Sequence, residues 1–156
     1  MTHKKNNHVS FRKYSQEVLD KSWKWLNDPE IKELTLTPDF DRESQQTWFL
    51  SLPDKSNYYI RSVWWNEKPI GAFGIKNITD TDGEVWYYIG VKKYWGKGIG
   101  SQMMQYLIEY ARSQKLKSVY AKLHKTNTGS YKLCEKFGYK GEREIYNTII
   151  IMRLFL

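Results

Sequence analysis

Apolar and polar positions along this chain change period several times, and the changes mark the elements. "HVSFRKY" (8–14) reads as a first short strand. In "SQEVLDKSWKWLND" (15–28), Val18, Ser22, Trp25 and Leu26 recur at helical spacing, and the helix ends before Pro29. Residues 30–40 show no period and read as irregular. Asp41 is placed to cap a second helix, "DRESQQTWFLSL" (41–52), which stops at Pro53.

The next forty or so residues switch to strand patterning. "YYIRSVWW" (58–65), "IGAFGIKNI" (70–78) and "EVWYYIGV" (84–91) are joined by the turn signals "NEKP" and "DTDG", which implies an antiparallel meander. A glycine-rich stretch follows, and then a helix with the stripe Ile99, Met103, Leu107, Ala111, flanked by Met104 and Ile108. "SVYAKL" (118–123) is a fifth strand. "NTGSYKLCEKFG" (127–138) is a short helix capped by Asn127 and closed by Gly138. "YKGEREIY" and "TIIIMRLF" end the chain as strands. The reading is α/β (α+β): a mixed, mostly antiparallel sheet of about seven strands with about four helices on its faces.

Composition narrows this. The 156 residues suit a single domain spanning 1–156 with a real core, and 40% hydrophobic and 16% aromatic residues argue against disorder. The 25 basic and 17 acidic side chains leave a net charge of +8, which favours phosphate-bearing partners or is simply a solubilising surface. The lone cysteine, Cys134, forbids an internal disulfide and fits a reducing compartment. The basic start "MTHKKNNHVSFRKY" lacks the apolar stretch of a signal peptide, and His3 and His8 fall in what reads as a flexible terminus. The apolar run "TIIIMRLFL" is too short to span a bilayer and is broken by Arg153. The expectation is a cytoplasmic protein, monomer or homodimer, without membrane or nucleic-acid partners.

The chemistry centres on Gly96, Gly98 and Gly100, set at alternate positions before a helix. Such a turn directs several backbone N–H groups, aided by the helix dipole, at one spot suited to a phosphate. The dinucleotide fingerprint needs G-x-G-x-x-G where this chain has G-x-G-x-G, and the P-loop pattern is absent. A pyrophosphate arm lying along the preceding strand is the remaining reading.

"VKKYWGKGIGSQMMQYLIEYA" (91–111) resembles motif A of the GNAT N-acetyltransferases, whose pattern is [Q/R]-x-x-G-x-[G/A], with Trp95 in place of the Gln or Arg. "NTGSYKLCEKFGYK" resembles the family's next motif. The element order fits the same family from about Phe11 onward, and the branch it resembles contains ribosomal-protein amino-terminal acetyltransferases and nucleotide-aminosugar N-acetyltransferases. The resemblance implies a GNAT-like sheet with a splayed strand pair, acetyl-CoA as cosubstrate and no metal. It places the CoA pyrophosphate on Trp95, Gly96, Lys97, Gly98, Ile99, Gly100 and Ser101, and the pantetheine arm on Ile89 and Val91 with help from Asn127. Lys92, Lys93 and Lys97 are positioned to meet phosphates.

Direct acetyl transfer needs a neutral amine, a polarised carbonyl and a proton for the departing thiolate. Relatives carry Tyr four residues before the motif's glycine; here that residue is Cys134. Ser130 lies one turn earlier on the same face, and the resemblance to the ribosomal-protein branch, which has a Ser at this position, implies it as the acid with Cys134 as rival, while Tyr131 is rotated about 100° away. Alternation along the strand before the glycines puts Glu84, Trp86 and Tyr88 on one face and Val85, Tyr87 and Ile89 on the other. Glu84 resembles the acid found at this strand position in the same branch, which implies it as the base, and His124, at the end of the fifth strand, is a second candidate. No metal-ligand spacing is present.

In the first half, "WLNDPEI", "WF" (48–49), "YYI" (58–60), "PIG" (69–71) and "NI" (77–78) look similar to nucleotide-linked aminosugar N-acetyltransferases, and the tryptophans can stack a base or sugar, so the resemblance implies a small amine acceptor of aminosugar type. A protein amino terminus is the alternative within the class. Outside it stand a non-catalytic acyl-CoA binder and a nucleic-acid-binding module.

Overall fold

A computed structural model describes residues 8–156. Among these residues one seven-stranded sheet forms from β1 (Val9–Lys13), β2 (Tyr59–Trp65), β3 (Lys68–Lys76), β4 (Glu84–Ile89), β5 (Ser118–His124), β6 (Lys140–Ile145) and β7 (Ile149–Phe155), in the spatial order β1-β2-β3-β4-β5-β7-β6. Five α-helices cover it: α1 (Gln16–Asn27), α2 (Pro29–Leu34), α3 (Arg42–Ser51), α4 (Ile99–Ser113) and α5 (Thr128–Lys136). Neighbouring strands are antiparallel except β4 and β5.

The sheet separates two apolar layers. On one face Val63, Phe73 and Ile75 pack against Met103, Met104 and Leu107 of α4. On the other, Trp64 and Ala72 meet Leu19 and Trp25 of α1, together with Tyr14. β3, covered on both faces, is buried from Pro69 to Ile75, and so its sequence runs apolar instead of alternating. The α4 stripe falls as its spacing demands: Ile99, Met103, Met104, Leu107, Ile108 and Ala111 are all buried.

The stretch 30–40 is not wholly irregular. Asp28 accepts hydrogen bonds from the N–H groups of Glu30 and Ile31, Pro29 sits in the first turn, and Ile31 is buried, so a fifth helix, α2, forms directly after α1. Asp28 and Pro29 stop one helix and start the next. The caps expected at Asp41 and Asn127 are formed, the first as a capping box with Ser44. His8 is ordered against the sheet edge: it stacks on Trp65 at 4.9 Å and bonds Asn66 at 3.1 Å. His3 lies outside the described residues.

Candidate active site

β4 and β5 share a single ladder position, Glu84 opposite Tyr120, where the Tyr120 N–H donates to the Gly83 carbonyl at 3.0 Å. Beyond it the strands part, and a cleft of about 700 Å³ opens. Because the strands are no longer paired there, side chains from both faces of β4 reach the gap. Glu84, Trp86, Tyr87 and Tyr88 line it from β4, Leu123 from β5, and Asn127 and Ser130 from α5. Tyr14, Gln45, Trp48, Tyr58 and residues 34–38 form the opposite wall.

At the far end of β4 the chain enters the glycine turn. Gly96 and Gly98 take φ of +74° and +79°, which glycine adopts without strain, and a Cβ at either would meet nothing within 4 Å. The junction is open, so a ligand can approach the backbone. Gly98 is the N-cap of α4 and supplies no side-chain cap bond, which leaves the first-turn N–H groups directed outward. An anion is what such a helix start attracts. Ile99 is buried and anchors the turn, and Gly100 lies against Leu133 of α5.

The surrounding side chains sort themselves. Trp95 donates its indole N–H to the Ile89 carbonyl at 2.8 Å, bracing the turn to the end of β4, while Val91 is half-buried beside it. Lys92 is engaged elsewhere: its Nζ lies 2.9 Å from Asp28 and 3.0 Å from Glu30, contacts that raise its pKa. Lys93 sits over the Tyr94 ring, and Lys97 is exposed. Lys136 was not legible as a site residue. It reaches from α5 to Ser101 Oγ at 2.9 Å and brings a cation to the start of α4. Only the fold juxtaposes α4 and α5, so no local signal marks it.

The four acid–base candidates are not equivalent. Ser130 lines the cleft, and its backbone N–H is capped by Asn127 Oδ1 at 3.1 Å. Asn127 also donates to the Leu34 carbonyl at 3.4 Å, tying α5 to α2. Glu84 is 6% exposed and lines the cleft, with Asn77 Nδ2 at 3.3 Å, Lys76 Nζ at 3.8 Å and Lys122 Nζ at 3.9 Å. Cys134 is fully buried and does not line the cleft; burial pushes its thiol up to about 11, opposed by a hydrogen bond from Tyr87. His124 is spent structurally. Its Nδ1 accepts the Thr126 N–H at 3.2 Å and bonds the Thr126 hydroxyl at 2.7 Å, while Nε2 faces Glu33 at 3.5 Å, outside the cleft lining. Tyr87, which sequence reasoning assigned only a strand face, lies in the cleft with its hydroxyl 3.7 Å from Cys134 Sγ. No group of three or more His, Cys, Asp or Glu side chains among the described residues could hold a metal ion.

The fold that carries this parted strand pair and glycine turn is shared with known proteins. The family model described as "Acetyltransferase (GNAT) family" matches residues 19–139. The Bacillus licheniformis protein named "Uncharacterized N-acetyltransferase p20" is 30% identical over 143 residues, covering 86% of this chain and 80% of that protein. Acetyltransferase PseH of Campylobacter jejuni is 26% identical over 128 residues, covering 81% of this chain and 80% of that protein. Spermidine N-acetyltransferase from Vibrio cholerae, solved with CoA and spermine, shares the fold at a TM-score of 0.85 and 16% identity, covering 96% of each chain. At Gly96 and Gly98 the glycine turn is free of side-chain obstruction. The chain belongs to the GNAT acetyltransferase family and is an N-acetyltransferase that takes its acetyl group from acetyl-CoA.

Proposed function

We propose that this enzyme acetylates the primary amine of a small acceptor of aminosugar type, seated between the parted strands and the wall built from Tyr14, Trp48 and Tyr58. The carrying observation is that one continuous cleft joins the parted strands to an aromatic and hydroxyl-rich chamber. Its charged lining is Lys76, Lys122 and Glu84. Two ammonium groups against one carboxylate repel a polycation such as a polyamine and admit an acceptor with one amine and neutral or anionic remainder. Flat rings and hydroxyls suit a sugar or nucleoside face.

Bound acetyl-CoA supplies an activated acyl group. Gly96, Gly98, Gly100 and Ser101, with Lys97 and Lys136, hold its diphosphate, and Ile89 and Val91 border the rest. Holding donor and amine in one cleft supplies much of the rate by proximity. Glu84, at the bottom of the parting, takes a proton from the acceptor ammonium. Ser130 faces the place where the sulfur departs, whereas Cys134 is sealed behind it.

The test is thiol release from acetyl-CoA with a nucleotide-linked aminosugar, a free aminosugar, spermidine and a short peptide with a free amino terminus. Turnover with the sugars and little with spermidine is expected. Turnover confined to the peptide would move the assignment to a protein amino terminus.

A further inference from the structure

We infer that Tyr87 of β4 is the catalytic residue that protonates the departing thiolate, with Ser130 as its relay to the cleft. This rests on the acetyltransfer reading above and identifies the acid within it.

Three observations converge. Tyr87 lines the cleft at the parting of β4 and β5, in the same strand as Glu84. Its hydroxyl lies 3.7 Å from Cys134 Sγ on the adjacent turn of α5 from Ser130. Ser130, one turn before Cys134 on α5, also lines the cleft, and its side chain opposes the burial-driven rise in the Tyr87 pKa. Position 134, where relatives carry tyrosine, holds the small Cys134, with the Tyr87 hydroxyl against its sulfur. The small thiol at that position leaves room for a phenol arriving from the sheet instead of the helix. Cys134 itself, fully buried and off the cleft, is walled from the reacting atoms.

The balance is simple. One C–S bond breaks, one C–N bond forms, and the ammonium acceptor gives up two protons. One leaves to solvent by way of Glu84. Tyr87 gives its phenolic proton to the sulfur and regains the amine's second proton through the Ser130 hydroxyl. Burial holds the phenol well above its ordinary pKa, so it is protonated at neutral pH and gives up its proton only as the thiolate charge develops beside it.

The test uses Tyr87→Phe, which keeps the ring, beside the wild type. The kcat is expected to fall about 100-fold while KM for acetyl-CoA stays within about threefold. A second reading needs no turnover: with CoA bound, its thiol is titrated by thiolate ultraviolet absorbance. Losing a hydrogen bond to the thiolate raises that pKa by about one unit in Tyr87→Phe. A kcat within threefold of wild type, or a bound thiol that titrates unchanged, overturns the inference. If the wild type releases no thiol with any amine, the acetyltransfer reading fails, and the CoA titration still decides whether Tyr87 touches the sulfur.

Discussion

Trp95 and Ile89 are joined by an indole N–H to carbonyl hydrogen bond of 2.8 Å, so the side chain standing where the family pattern has Gln or Arg clamps the glycine turn to the end of β4. The clamp fixes the glycine turn, the proposed diphosphate cradle, against the end of β4. Trp95→Phe keeps the ring and drops the bond. A loss of about 1 kcal/mol in positioning corresponds to about a fivefold rise in KM for acetyl-CoA, with kcat nearly unchanged. Steady-state kinetics at saturating acceptor read it directly.

Gly98 holds φ of +79° with open space where a side chain would stand. Gly98→Val is opposed by backbone strain of about 2 kcal/mol and by occupation of the ligand's path. Thermal unfolding should fall by several degrees, and calorimetric CoA binding should be lost. Unchanged CoA affinity would remove the cradle from the site.

Lys92 and Lys136 look interchangeable in the sequence but not in space. Lys92 is held by Asp28 and Glu30, whereas Lys136 reaches Ser101 at the start of α4. Lys136→Ala should weaken CoA binding about fivefold, an effect that shrinks with added salt, and Lys92→Ala less than twofold. The reverse order would mean that the α2 ion pairs open to release Lys92.

The buried thiol sets a pH dependence. Burial raises Cys134 from its ordinary 9.0 to about 11, so between these values the folded chain keeps a proton that the unfolded chain releases. That stabilisation is complete below pH 9 and is lost as pH rises through 11, amounting to about 2–3 kcal/mol. Urea unfolding of Cys134→Ala should show a flatter decline across that window than the wild type. Iodoacetamide should label the native wild-type thiol far more slowly than the unfolded one.

Periodicity made the α4 stripe, the meander and the Asp41 and Asn127 caps readable, because each depends on neighbours within a few residues. The short helix α2 escaped since its start signal, Asp28 followed by Pro29, doubles as a stop signal for α1. Lys136 beside Ser101, Lys92 pinned to Asp28 and the phenol of Tyr87 against α5 are separated by 35, 64 and 47 positions, and no local pattern encodes which distant side chains will meet. His124 shows the same limit from the other direction. Its place at the end of β5 was legible, but its commitment to Thr126 and Glu33 was not.

The solitary rung between Glu84 and Tyr120 makes this sheet two half-sheets hinged at one point, β1–β4 and β5–β7. Any occupant that bonds both bare edges supplies the missing seam, and a cosubstrate seated there as proposed would serve as a beam of the architecture as well as a reactant. Its arrival stiffens the frame in proportion to how tightly it is gripped, and its departure after each turnover hands that rigidity back.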